Sequence, residues 1–222
     1  MKEVHIRTPQ EFEDICKLKE ATGVFVASGG TCHLQVRPHG IFLIREGDAS
    51  ASLSFVLKLP KIPETMLLEI IDYFREDITK EAAVRICFDD KKSEYFFVKA
   101  GGYRTGVSVY YDYSESVEKL LKEEVICVIE IHSHNVMSAF WSGVDDADEL
   151  NAPGALFGVM GRLDRERPQM LCRAVMKGLS AAIDPADLFD LTDKKEKKEP
   201  HEKADLGKRL FRGLMRLIEW RK

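Results

Sequence analysis

The chain has 222 residues, of which 45% are hydrophobic and 32% charged, as expected for one folded domain with an appendage. Its formal net charge of −4 argues against a general nucleic-acid-binding role. No apolar run reaches transmembrane length, and the charged first residues do not resemble a signal peptide. Five widely spaced cysteines without a Cys-x-x-Cys pair indicate buried thiols in a cytoplasmic protein.

Residues 1–60 are predicted to form a small N-terminal α+β unit. Thr8 before Pro9 predicts a capped helix that runs to about Lys19. Short strand-like runs follow, separated by turn residues, and predict a meander. These runs are residues 23–27, 32–36, 40–44 and 51–58. His33 and His39 have no carboxylate at ligand spacing, so we interpret both as surface or loop histidines.

Residues 61–192 are predicted to form the main domain. The segment 59–63 predicts a linker, because its two prolines remove backbone donors and favour extended geometry. Pro63 then begins an amphipathic helix to about Asp77, and Glu81 begins the next strand. The elements expected after that strand are a hairpin turn at 89–92, strands at 94–98 and 107–113, and a helix at 114–124.

An apolar, β-branched run at 125–129 predicts a buried strand that leads to His132 and His134. Alternate side chains of a strand share a face, so the two imidazoles point the same way. With the carboxylate of Asp145 they make the ligand set of a catalytic zinc site, whose fourth position is kept for water. Ser142 precedes Asp145 by three residues, so its hydroxyl could face the same centre. A bare His-x-His is often only a polar pair on a solvated face, but the Ser and Asp at fixed distances favour the metal.

These residues resemble the JAMM (MPN-plus) signature of zinc-dependent isopeptidases, a family also called JAB or Mov34/MPN/PAD-1. In this chain, seven residues separate His132-x-His134 from Ser142, and two residues separate Ser142 from Asp145. The glutamate that this family has upstream is best matched by Glu81, 51 residues before the first histidine. The amino-acid sequence around these residues is most similar to that of prokaryotic JAB proteins of the PRTRC system protein A type.

The resemblance covers residues 61–192 and implies an α/β fold, with a mixed central β-sheet flanked by helices in the cytidine-deaminase-like JAB/MPN arrangement. Two further predicted strands, at 157–161 and 170–176, would complete that sheet. Asn135 departs from the pattern, because many relatives have Pro after the second His. That difference alters the loop more than the ligands.

The resemblance also implies a mechanism with one Zn²⁺ per chain, held by the three predicted ligands, which acidifies a water molecule. Glu81 would act as general base and then general acid, and Ser142 would help to stabilise the oxyanion. Glu130 is a rival for Glu81, because a period of two places it on the face of His132. We interpret Glu130 instead as a support for an imidazole from outside the coordination sphere.

The predicted reaction is hydrolysis of an amide or isopeptide bond. By resemblance, the substrate is a ubiquitin-like or sulfur-carrier protein cut after its C-terminal Gly, by deconjugation or precursor processing, and a ThiF/E1-like enzyme is the partner. The alternative is a non-catalytic MPN scaffold in a protein complex. Such scaffolds usually have a degraded ligand set, whereas this one is intact. No specific nucleic-acid partner is expected.

Residues 193–222 are predicted to be a charged linker followed by a basic amphipathic helix. Leu206, Leu210, Leu214 and Leu217 recur at helical spacing among lysines and arginines. Three interpretations are open: the helix docks on the chain's own acidic body, docks on a partner, or lies on an anionic membrane surface. Of these, membrane contact is the least expected.

Overall fold

The computed structural model describes residues 3–27, 30–47, 50–101, 112–114 and 120–191. Within these ranges the chain is a mixed α/β protein with several sheets, and strands dominate over a few short helices. The predicted α/β class is confirmed in this broad form. The strand expected at 107–113 and the helix expected at 114–124 lie partly outside the described residues, and 193–222 lies wholly outside them.

The first sheet is a five-stranded meander. Its strands are β1 (Val4–His5), β2 (Ala21–Ala27), β3 (Gly30–Val36), β4 (Gly40–Glu46) and β5 (Ala51–Leu57). They lie in chain order, with β1 parallel to β2 and each later pair antiparallel. Helix α1 (Pro9–Cys16) connects β1 to β2, and the Thr8 hydroxyl caps it by accepting the N–H of Glu11 at 3.1 Å.

The second sheet has six strands and carries the predicted ligands. They are β7 (Ala83–Asp89), β8 (Glu94–Lys99), β9 (Val125–Ser133), β10 (Ala155–Gly161), β11 (Gln169–Met176) and β12 (Leu179–Ile183). Their order is β12-β11-β10-β9-β7-β8, and the sheet is mixed because β9 and β10 are parallel. A parallel pair needs a crossover connection, and helix α3 (Gly143–Glu149) lies in it.

The two sheets share a hydrophobic core. Helix α2 (Glu64–Arg75) begins after Pro63, as predicted, and buries Ile70 and Phe74 against the second sheet. Phe42 and Leu53 from β4 and β5 belong to the same cluster, whereas the opposite face of the meander packs on α1. Among the helices that the structure describes, none is long and apolar enough to cross a membrane.

The segment predicted as a linker is anchored in this core. Ile62 and Pro63 form strand β6, which pairs in parallel with β13 (Phe189–Asp190) just after helix α4 (Pro185–Leu188). Ile62 and Phe189 are both completely buried. Two prolines in five residues give this segment the composition of a linker, but its end at Ile62–Pro63 pairs with a strand that lies far along the chain.

Candidate metal centre

The end of β9 places two imidazoles beside each other. His132 stands in the ladder opposite Ala83 on β7 and Val159 on β10. The backbone N–H of His134 donates to the carbonyl of Met160 at 2.6 Å. The two residues are 3% and 4% exposed, and the Nε2 atoms of their rings lie 3.1 Å apart. They converge as alternate positions of one strand predict.

Asp145 completes a set of three ligand atoms. Its Oδ1 lies 3.4 Å from His132 Nε2, and its Oδ2 lies 4.0 Å from His134 Nε2. The three ligand atoms lie within 4.8 Å of one another. Two atoms bound to one zinc ion at the tetrahedral angle, each about 2.0 Å from it, are about 3.3 Å apart. The set therefore fits a single metal ion after a small adjustment of the carboxylate.

Both imidazoles are suited to metal binding at neutral pH. Burial lowers the pKa of His132 to about 4 and also lowers the pKa of His134, although the negative charge of Asp145 opposes both effects. The rings are therefore neutral at pH 7 and keep a lone pair for a metal. Two Nε2 atoms in contact cannot both carry a proton without repulsion, whereas a cation between them satisfies both.

A capping box at the start of α3 orients Asp145. The Ser142 hydroxyl accepts the backbone N–H of Asp145 at 3.2 Å, and Asp145 Oδ2 accepts the backbone N–H of Ser142 at 2.6 Å. This reciprocal pair fixes the carboxylate in the first turn of the helix and leaves Oδ1 on the side of His132. The observed contact of Ser142 is thus the cap, and its role towards an oxyanion stays a prediction.

A buried arginine fastens α3 to the sheet. Arg173 on β11 is 4% exposed, and it donates to Glu149 Oε2 from Nε at 3.0 Å and from Nη2 at 2.7 Å. Its Nη1 donates to Asp146 Oδ1 at 2.6 Å. The guanidinium also lies 3.9 Å from the ring centre of Trp141, whose edge meets the ring of His132. Arg173 therefore holds the helix that presents Asp145.

The loop after His134 depends on two special backbone positions. Asn135 has a φ of 52°, a left-handed conformation that Asn tolerates and Pro cannot adopt. A Cβ at Gly161 would come within 2.3 Å of the backbone nitrogen of Ala139. The asparagine noted as a departure from the family pattern therefore matches this loop. Gly161 allows the loop to pack against the end of β10.

Glu81 lies just before β7 and is 5% exposed. Burial, together with the negative charge of Asp145, raises the pKa of Glu81 to about 7. Ser133 fixes the neighbouring backbone, because its Oγ accepts the N–H of Ala82 at 2.9 Å and its own N–H donates to the Ala82 carbonyl at 2.8 Å. A buried carboxyl group with a raised pKa thus lies close enough to the ligand set to be affected by the charge of Asp145.

Glu130 lies on the same strand as the imidazoles but is engaged by another side chain. Its Oε2 accepts from Arg85 Nε at 3.1 Å and from Arg85 Nη2 at 2.6 Å. Arg85 is its ladder partner on β7 and also covers the ring of Tyr113, at 4.3 Å from the centroid. The side chain therefore neutralises a guanidinium, and a direct role on the imidazole of His132 stays a prediction.

Sequence reasoning missed the contributions of Arg173 and Trp141 to this centre. The available signal for Arg173 was a single charged residue inside the apolar run 170–176, which is typical of a buried, paired side chain. Trp141 lies within the motif itself, where nothing in the spacing distinguishes a contact with a ligand from general packing.

Known proteins give no family assignment for this chain. No protein-family model matches it, and no curated protein sequence matches it. Among solved structures, it is similar to the solution structure of protein DSY2949 from Desulfitobacterium hafniense. The identity is 13% and the TM-score 0.45, with 55% of this chain and 88% of that chain covered. Neither family nor function follows from a similarity at this level.

Proposed function

We propose that the chain is a metal-dependent hydrolase of amide or isopeptide bonds, of the JAMM (MPN-plus) type. One observation carries the proposal: the ligand atoms of His132, His134 and Asp145 converge within 4.8 Å, and the charge of Asp145 acts on the buried Glu81. Three protein ligands with a proton-transfer group outside the set are typical of catalytic sites, whereas structural zinc sites have four protein ligands. The proposed ion is Zn²⁺, one per chain, and the proposed fold is that of JAB/MPN domains.

Each residue has a defined task in this proposal. A bound Zn²⁺ supplies Lewis-acid chemistry, which polarises the scissile carbonyl and makes water a better nucleophile. Glu81 accepts the proton of the attacking water and delivers it to the leaving amine, because its pKa of about 7 allows both steps near neutral pH. Ser142 holds Asp145 through the capping box, and its hydroxyl is the proposed donor to the developing oxyanion.

The proposed substrate rests on the sequence resemblance. It is a ubiquitin-like or sulfur-carrier protein cut after its C-terminal Gly, and a ThiF/E1-like enzyme is the proposed partner. We place the reaction in the cytoplasm, because no disulfide joins any two of the five cysteines, all of which lie in the described residues.

Metal analysis and cleavage assays on the purified full chain test the proposal. We expect one zinc per chain in the wild type and loss of most of it in His132→Ala and Asp145→Ala, because two ligands seldom hold Zn²⁺ against competition. A panel of ubiquitin-like proteins with C-terminal extensions is the substrate set. Full zinc occupancy in both variants would overturn the ligand assignment.

The same experiment distinguishes the scaffold alternative. A chain that binds zinc but cleaves none of the extended ubiquitin-like proteins, either by itself or with a ThiF/E1-like partner added, would favour a non-catalytic MPN protein. Cleavage that is lost in Glu81→Gln while zinc remains would favour the hydrolase.

A further inference from the structure

Two cysteines face each other across neighbouring strands of the second sheet. Cys87 on β7 and Cys127 on β9 are ladder partners, and their Sγ atoms lie 3.8 Å apart. Cys87 is completely buried, whereas Cys127 is exposed. Directly opposed residues of antiparallel strands have Cα atoms about 4.5–5.5 Å apart, within the range that a disulfide requires. The pair can therefore be bridged with little movement of the backbone.

A β-bulge gives Cys127 its orientation. The register between β7 and β9 shifts just before Cys87, so that Cys127 rather than Val128 stands opposite it. In a regular strand, Cys127 and Glu130 would point to opposite faces, because they are three residues apart. Bulges re-aim a side chain in this way. Cys127 consequently gains both a partner thiol and a place on the face that carries Glu130.

The surroundings of Cys127 favour its thiolate. The hydrogen bond from the Cys87 thiol, followed by the positive charge of Arg85, lowers the pKa of Cys127 to about 7, against the effects of burial and of Glu130. The thiolate is the reactive form of cysteine, so the lowered pKa of Cys127 increases its reactive fraction at neutral pH. Arg85, Cys127 and Glu130 also line a cavity of about 250 Å³, which admits a small solute.

We propose that Cys127 and Cys87 form a hydroperoxide-reactive dithiol that closes to a cross-strand disulfide, a site independent of the proposed hydrolase function. The Cys127 thiolate attacks one peroxide oxygen, the O–O bond breaks, and Cys127 becomes a sulfenic acid while the other oxygen leaves as an alcohol or water. The Cys87 sulfur then attacks the Cys127 sulfur, the S–O bond breaks, and water leaves. Two thiols are oxidised, and one hydroperoxide is reduced.

The other cysteines lack this combination of exposure, charge and partner. Burial raises the pKa of Cys16 and of Cys172 to about 12 and raises that of Cys32 as well. Their thiolate fractions at pH 7 are correspondingly small. Oxidation is therefore selective for the pair on β7 and β9.

Mass spectrometry of the zinc-loaded full chain after titration with hydrogen peroxide tests the proposal. We expect the wild type to lose about 2 Da, reversibly with dithiothreitol, as two thiols become a disulfide. A non-reducing digest should contain one cross-linked pair that joins Cys87 to Cys127. Before oxidation, iodoacetamide should label Cys127 at least 10-fold faster than Cys172.

Variants define the roles of the two thiols. Cys127→Ser should abolish the mass loss, and Cys87→Ala should stop at a sulfenic acid on Cys127 that dimedone traps. The matched control, Cys16→Ser, should still lose about 2 Da, as two thiols do when they form a disulfide. If Cys87→Ala does not fold, the cross-linked peptide and Cys127→Ser still decide. No mass loss in the wild type, or a loss that persists in Cys127→Ser, would overturn the proposal.

Discussion

Two glutamates near His132 have different surroundings at the scale of single residues. Glu81 is 5% exposed, and its pKa is raised to about 7, which suits a group that takes up and releases a proton. Glu130 has a side chain 15% exposed that is ion-paired with Arg85 at 2.6 Å. The guanidinium already occupies its carboxylate, so it is poorly placed to serve as the proton acceptor.

This difference predicts the effect of replacing each glutamate. Glu81→Gln keeps the shape and removes the base, so we expect zinc content to remain and kcat to fall by about 10²-fold or more. Glu130→Gln should lower kcat less, because it disturbs an ion pair outside the ligand set. The measurements are kcat and zinc content of both variants. Near wild-type turnover in Glu81→Gln, with an inactive but zinc-loaded Glu130→Gln, would reverse the assignment.

His39, predicted to be a surface or loop histidine, lies in a loop with its side chain buried. It does lie in the loop between β3 and β4, but it is only 8% exposed and packs against Phe42 and Phe55. Its Nε2 is buried without a hydrogen-bond partner among the described residues. Burial, with the positive charges of Arg37 and Lys58, lowers the pKa of His39 to about 4. Of the two predicted environments, surface or loop, His39 has the loop position, with a buried side chain.

The buried neutral imidazole of His39 predicts sensitivity to acid. Below the ordinary pKa of 6.5 the unfolded chain binds a proton that the folded chain binds only near pH 4. The titration of His39 therefore leaves the free energy of unfolding undiminished at neutral pH. It lowers this free energy by up to ~3 kcal/mol as the pH drops from 6.5 towards 4. His39→Phe should flatten the pH dependence of the free energy of unfolding, measured with urea. An unchanged pH dependence would contradict this account.

At the scale of elements, α3 is too short to hold its own position. It has seven residues, and isolated helices of this length are unstable in water. The capping box fixes its first turn, and Arg173 on β11 binds Glu149 near its last turn. The position of Asp145, the candidate metal ligand, therefore depends on a strand that supplies no ligand of the candidate set.

Replacing Arg173 should consequently weaken metal binding. Arg173→Met keeps much of the side-chain volume but removes the N–H donors of the guanidinium. We expect zinc affinity to fall about 10- to 100-fold. Arg173→Lys should recover only part of the loss, because an ammonium cannot make the same paired contacts. Competition with a chelator measures the affinity. Arg165→Met, an exposed arginine in a turn, is the matched control. Equal affinities in the two methionine variants would show that Arg173 does not position Asp145.

The helices and strands that could be predicted from the sequence are those whose residue pattern lies within one short segment. The amphipathic spacing of α2, the apolar run of β9 and the Thr8-Pro9 start of α1 each appear where they were predicted. Strand β12 was missed, because its short run is only partly apolar. The positive φ values of Lys177 and Gly178 mark the tight turn before it, a signal that the sequence only hints at.

The same limit applies to the candidate site. The ligand set lies within fourteen residues of the chain, from His132 to Asp145, and motif spacing was enough to propose it. The pairing of Arg173 with Glu149 depends on how β11 and α3 meet in space. The pairing of Glu130 with Arg85 depends on the register between β7 and β9. Non-local contacts of this kind leave no fixed spacing in a sequence.

At the scale of the whole molecule, the meander and the second sheet have one core in common. Phe42 and Leu53 of the meander cluster with Ile70 and Phe74 of α2 and with side chains of the second sheet. Whether residues 1–60 fold as a separate unit stays a prediction. The shared cluster indicates that the remainder of the chain depends on them, because their removal would expose buried apolar surface.

Two truncations test how far the folded domain depends on the N-terminal residues 1–57 and on the C-terminal residues 194–222. Deleting residues 1–57 should abolish the cooperative thermal transition and lower zinc content, because the core loses the side chains of β4 and β5. Deleting residues 194–222 should leave zinc content and hydrolysis of a small peptide substrate intact, because the charged stretch before the terminal helix is predicted to be a linker. Calorimetry and metal analysis report both. A cooperative, zinc-binding chain without residues 1–57 would contradict the shared core.

The connectivity of the meander bears on the order in which the chain folds. Connections of two to four residues join β2 to β3, β3 to β4 and β4 to β5, whereas β9 pairs with β7, a strand far behind it in the chain, with His132 opposite Ala83. Local pairings form faster than distant ones, and the N-terminal part is synthesised first. We expect amides of β3 and β4 to gain protection before those of β9 in pulsed hydrogen exchange during refolding. Protection of β9 ahead of the meander would contradict this order.

An early meander leaves its Phe42 and Leu53 face uncovered until the second sheet arrives, and that interval is when the nascent protein is most prone to aggregate.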